Sequence, residues 1–154
     1  MPSPFPHQYR ASISRTFASR ARVDAPSRAA LDGGAAAPLD GDADAWSPEH
    51  LLLSSLGISI LTTFEDLAAR DGIELARWDA RITGSVERAP EGLMFSSIVV
   101  AIDMEIGGNV DAVEHTLEDA KQDCLVLNSL RVPVVLEISC VPPKVTEPTP
   151  QLAS

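Results

Sequence analysis

The stretch WSPEHLLLSSLGISILTTF, Trp46 to Phe64, reads as a helix with a polar entrance and an apolar body. Ser47 suits the N-cap, because its hydroxyl can accept a backbone N–H that the first turn leaves without a partner. Pro48 suits the first helical position, and Glu49 puts a negative charge where the helix dipole is positive. The pattern carries the helix to about Arg70, with Gly72 just past its end. From Leu51 to Leu61 it is apolar nearly all the way round, which predicts a buried core helix rather than an amphipathic one. Those eleven residues are fewer than the roughly 20 that a bilayer span needs. The stretch holds no cysteine, and its only His and Glu, His50 and Glu49, sit at its entrance.

Downstream, Trp78, Ala80, Ile82, Gly84 and Val86 alternate with polar residues, and after the turn APEGLM so do Ile98, Val100, Ile102, Met104 and Ile106. Period two predicts a long hairpin with one apolar face. Gly107 and Gly108 break the pattern, and Asn109 or Asp111 is expected to cap a second helix. That helix carries the stripe Val113, Leu117, Ala120, Cys124 and Leu127, which points Cys124 into the core or an interface. A last strand, Pro133 to Cys140, precedes a Pro-containing tail. Upstream, Tyr9, Ala11 and Ile13 alternate in the first of one or two short strands within residues 8–32. The loop DGGAAAPLDGDADAW then leads into the central helix. One domain over residues 1–154 is expected, with flexible tails at 1–7 and 142–154 and no internal repeat.

Composition fits a soluble globular class, with 45% hydrophobic and 22% charged residues. A chain of this length buries roughly 70% of its unfolded surface without staples. The net charge is -10, and residues 1–28 hold five Arg against Asp24 alone, so the other 126 residues carry 7 basic and 21 acidic side chains. Such a body repels nucleic acid and anionic membrane, and neither is expected as a partner. No apolar run near the start suits a secretory signal, and Cys124 and Cys140 alone make no disulfide framework, so a cytoplasmic protein with reduced thiols is expected.

Most candidate motifs carry little. Asp40, Asp42 and Asp44 open like a calcium loop, but Ala45 and Leu51 stand where it needs Gly and Glu. His7, His50 and His115 lack zinc-ligand spacing, so no metal is expected. Gly57-Ile58-Ser59 begins a G-x-S-x-G pattern, but Leu61 ends it and the Ser lies within a helix, where a nucleophile elbow cannot form. No Gly-rich phosphate loop is present, and no cofactor is expected. Taken singly, Cys124 and Cys140 read as structural thiols and Glu49 as a partner of the helix dipole.

Together these elements resemble the OsmC/Ohr family. The resemblance rests on a helix entered by Ser47-Pro48-Glu49-His50-Leu51-Leu52 and a long hairpin, followed by a helix with Ala120, Cys124, Asn128, Ser129 and Leu130 and a closing strand. It covers about residues 8–141. It implies an α+β subunit, with antiparallel sheets packed on long central helices, in an intertwined homodimer. It also implies reduction of organic hydroperoxides by a cysteine pair beside a Glu and an Arg, with a dithiol as reductant. Glu49 matches the family's Glu, and Cys124 matches the second, resolving Cys, although Leu125 replaces the Pro that commonly follows it. The family's Arg comes from the N-terminal sheet, where Arg20, Arg22 and Arg28 are candidates and Arg22 is slightly preferred. The reactive Cys belongs ten residues after the Glu, and that position is Ser59.

Helix geometry separates Glu49 from Ser59 by about 15 Å and turns them to different faces, so one chain cannot bring them together but two subunits can. Peroxide reduction needs a thiolate that becomes a sulfenic acid and then a disulfide, which Ser59 cannot do. Two functions are therefore expected to compete. One is a hydroperoxide reductase working through Cys124, with Cys140 taking part only if the last strand lies beside the second helix. The other is a non-catalytic dimer that binds a small hydroperoxide-like or lipid-like molecule, or a partner, in its interface pocket.

Overall fold

The computed structural model describes residues 6–17, 19–36 and 44–143. In chain order the elements are β1 (Ser12–Phe17), β2 (Arg20–Asp24), β3 (Leu31–Gly34), α1 (Pro48–Asp71), β4 (Ile73–Ala89) and β5 (Gly92–Gly108). A 3-10 turn (Val110–Ala112), α2 (Val113–Asp123), α3 (Leu125–Ser129) and β6 (Val134–Val141) complete the chain. They divide between two compact units, Met1–Leu52 and Leu53–Ser154, with the boundary inside α1.

In the first unit, β1, β2 and β3 form an antiparallel sheet with Ser14 opposite Arg22 and Arg22 opposite Asp32. Asp32, Gly33 and Gly34, expected in a loop, are strand residues. Their backbone pairs with β2 on one side, and on the other Trp46 N donates to Asp32 O while Gly34 N donates to Trp46 O, both at 3.1 Å. Pairing on both sides offsets the poor strand propensity of Gly and Asp.

The second unit holds the core. Leu56, Ile60, Phe64, Leu67 and Ala68 form the buried stripe of α1, and Ile98, Val100, Ile102, Met104 and Ile106 form the buried face of β5. The Phe64 and Trp78 rings pack with centroids 5.4 Å apart. The predicted all-round burial of α1 is not what the chain provides. Ile58 is 63% exposed, because only one face of α1 meets core residues. The helix ends at Asp71, one residue past the expected Arg70. Its 24 residues, with a mean hydropathy of 1.4 over 18 of them, are long and apolar enough to cross a membrane, although its buried stripe is that of a core helix.

The second sheet has the order β4–β5–β6. The 17-residue strands β4 and β5 pair antiparallel, as the alternation predicts, but β6 pairs parallel to β5, from Ile98 opposite Val134 to Glu105 opposite Val141. The sheet is therefore mixed rather than antiparallel throughout, because α2 and α3 carry the chain back along the sheet, as a parallel connection requires. Beyond Ile98 the hairpin continues as two strands alone, ending at the pair Ala89 and Gly92.

The expected second helix is interrupted at Cys124, whose φ of -73° and ψ of 105° are extended. The Asn128 side chain donates to Gln122 O at 2.6 Å and so satisfies a carbonyl that the helix end leaves open. Neither Asn109 nor Asp111 caps α2. Asn109 instead donates its side-chain N–H to Asp71 O at 3.1 Å and its backbone N–H to Gly72 O at 2.9 Å, closing the end of α1. Gly108 beside it has φ +70°, and a Cβ there would lie 2.4 Å from Gly72 O, so only glycine fits this crossing.

Candidate active site around Ser59 and Cys124

Ser59 sits on α1 between the buried positions Leu56 and Ile60 and is itself half-buried. Its carbonyl accepts the Thr63 hydroxyl at 2.8 Å and the Thr62 hydroxyl at 3.3 Å, bonds that brace this turn. Its own hydroxyl receives the Cys124 S–H at 3.2 Å. Cys124 is fully buried at the break between α2 and α3. Two positions 65 residues apart thus share one contact in the second unit. A sulfur in place of the Ser59 oxygen would need only small rotations to reach the ~2.05 Å of a disulfide.

Glu49 and the candidate arginines belong to the first unit. Glu49 occupies the first turn of α1, behind Ser47, whose hydroxyl caps the helix by accepting His50 N–H at 3.2 Å. One Glu49 carboxylate oxygen, Oε2, is buried with no hydrogen-bond partner among the described residues. Such an atom costs about 1–3 kcal/mol and calls for an explanation. The Arg22 Nε binds both carboxylate oxygens of Asp24, each at 3.0 Å, and Arg28 donates to Ser27 O at 3.2 Å. Arg20 instead lines a cavity of about 530 Å³ with Arg15, Trp46, Pro48 and Leu51, and its guanidinium lies 5.9 Å from the Phe17 ring centre.

Residues 41–139 match the family model described as OsmC-like protein. The chain belongs to the OsmC-like family. An OsmC-like protein of Vibrio cholerae has a similar fold, with a TM-score of 0.80 at 14% identity over 87% of this chain and 100% of that one. An organic hydroperoxide resistance protein of Legionella pneumophila superposes with a TM-score of 0.68 at 19% identity, covering 88% and 98%. The organic hydroperoxide resistance protein OhrB of Bacillus subtilis gives 0.64 at 14%, covering 85% and 98%. No match was found among curated proteins.

In this OsmC-like chain the last strand does lie beside the second helix, and Cys140 lines an open groove with Val113 and Leu117 of α2. Cys124 lies seven residues farther along, about 10 Å by helix rise, so Cys140 does not join the contact with Ser59. Partial burial pushes the Cys140 thiol above its ordinary pKa. In the native protein one thiol per chain, Cys140, should react with a maleimide. Its rate should rise about tenfold per pH unit until the thiolate dominates. Labelling of two thiols in the folded state would show that Cys124 is not sealed.

Among the described residues no group of three or more His, Cys, Asp or Glu side chains is placed to hold a metal ion. Asp40 and Asp42 of the calcium-like run lie outside the described residues. Sequence reasoning missed Arg15, Arg20 and Trp46 as neighbours in one cavity. It also missed Thr63 as the brace of Ser59, although a hydroxyl four residues after a helical carbonyl is a readable signal.

Proposed function

We propose that this chain acts as a homodimer that binds a small organic hydroperoxide or lipid-like molecule, without the two-thiol cycle of a reductase. The observation that carries the reading is the contact between Cys124 Sγ and Ser59 Oγ. It has the form of a two-cysteine site with one sulfur replaced by oxygen. A thiolate attacking a hydroperoxide takes one oxygen as a sulfenic acid and releases an alkoxide, and a second thiol then expels water as the disulfide forms. With Ser59 in place the first step lacks its nucleophile, and Cys124 is sealed in the core.

Two further observations support a site completed by a second subunit: the exposed face of α1 around Ile58 and the orphaned oxygen of Glu49. In that arrangement Ser59 and Cys124 of one subunit face Glu49 of the other. Arg20 is then the better candidate for the site's cation, because it lines a cavity together with Trp46, Pro48 and Leu51 at the start of α1. The dimer is a cytoplasmic protein and draws on no dithiol.

The test has two parts. Light scattering should give twice the mass of the 16.4 kDa chain, and a stable monomer would remove the shared site. Cumene hydroperoxide with a dithiol should be consumed no faster than in buffer. Turnover by the unaltered chain would overturn the proposal and make it a reductase working through Cys124.

A further inference from the structure

The groove beside Cys140 is separate from this site and has its own chemistry. It lies within the second unit, between the start of α2 and the end of β6, with a volume of about 600 Å³. That is within the range of small-molecule sites, roughly 300–1,000 Å³. Its walls are mostly aliphatic, and Val110, Ile138 and Val141 are left 52%, 38% and 43% exposed there. Clustered apolar exposure of this kind marks a surface that gains by being covered.

Charge narrows what covers it. Among the described residues of the lining, Asp111 and Glu114 are the only charged ones, with no Lys, Arg or His beside them. Their spacing of three places both on one side of the turn that opens α2. Neither carboxylate has a hydrogen bond or ion pair among the described residues, and both side chains are exposed. The cavity of the first unit has the opposite character, with Arg15 and Arg20 in its lining. A chain of net charge -10 strengthens attraction of cations to the groove and repulsion of anions.

We infer that the groove between α2 and β6 binds a small organic cation with an apolar tail, its tail against Val113, Leu117 and Ile138 and its head beside Asp111 and Glu114. Calorimetric titration of the full chain with decyltrimethylammonium, decanoate and decanol, each below its micelle concentration, tests this. The cation should bind tightest and slow maleimide labelling of Cys140, and added salt should weaken it. The double variant Asp111→Asn/Glu114→Gln, with an unchanged circular dichroism spectrum, should lose about three- to tenfold in affinity for the cation, as expected for two exposed ion pairs. Equal binding of decanoate or decanol, or an unchanged affinity in the double variant, would overturn the inference. So would labelling indifferent to all three probes. Labelling that slows with protein concentration alone would also overturn it, because a second copy would then be covering the groove.

Discussion

Ser59→Cys is expected to give this chain dithiol-dependent peroxidase activity well above that of the unaltered protein. The substitution places a second sulfur against Cys124, where the Ser59 oxygen now sits at 3.2 Å, and restores both nucleophile and resolving thiol. Its helical turn is already braced by Thr62 and Thr63, and Cys is close to Ser in size, so the fold should be unaffected. Removing the nucleophile of a well-studied serine protease costs on the order of 10⁶ in rate, so even a partly tuned site should exceed background by about 10³-fold. The measurement is consumption of cumene hydroperoxide with a dithiol, run beside the double variant Ser59→Cys/Cys124→Ser. The double variant should lose the steady state, because its sulfenic acid has no partner. A folded, dimeric Ser59→Cys protein that stays inert would show that the site lies elsewhere.

Phe64→Ala should have the largest effect on stability. Phe64 is fully buried in the middle of the α1 stripe and packs on Trp78 of β4. Truncation removes a ring and leaves a cavity that helix and sheet cannot both close. The cost should be about 3–5 kcal/mol, a large part of the ~5–15 kcal/mol that holds a typical domain together. Urea unfolding followed by tryptophan fluorescence, at fixed protein concentration because association adds to stability, would read it. A loss under about 1 kcal/mol would contradict the core described above. The same substitution at Ile58 should change monomer stability little, since that side chain faces away from the core.

Both predictions draw on features that differ in how plainly the residues announce them. The ends of α1 were legible, because Ser47, Pro48 and Gly72 act locally, and so was the long hairpin, because period two survives over many residues. The burial of α1 was not. A helix apolar on every side demands cover on every side, and nothing in the pattern says whether the cover comes from the same chain. The break at Cys124 is accompanied by the Asn128 amide reaching back to Gln122, a contact which no periodicity reports. The parallel placement of β6 follows from where α2 and α3 deliver the chain, not from the strand's own residues.

The site was legible in halves. That Ser59 and Cys124 stand together came from resemblance alone, since nothing local links residues so far apart in the chain. The choice among arginines was beyond alternation, because Arg20 and Arg22 have the same parity on β2. In the structure Arg20 lines the cavity of the first unit, and Arg22 pairs with Asp24, two residues on. That pair could have been suspected from the sequence RARVD, where residues two apart share a face.

The unequal lengths of β6 and the hairpin make the second sheet uneven in its resistance to opening. Where β6 runs beside β5, from Ile98 to Glu105, an amide can exchange with solvent only after three strands and a helix come apart. From Val86 to Phe95 the ribbon has two strands and exposes Val86, Leu93 and Met94. A bare two-stranded ribbon is marginal in water, so its amides should exchange at a small fraction of the global unfolding free energy. In deuterium the ribbon should therefore be replaced first, leaving the β5–β6 pair to mark the part of the molecule that opens last.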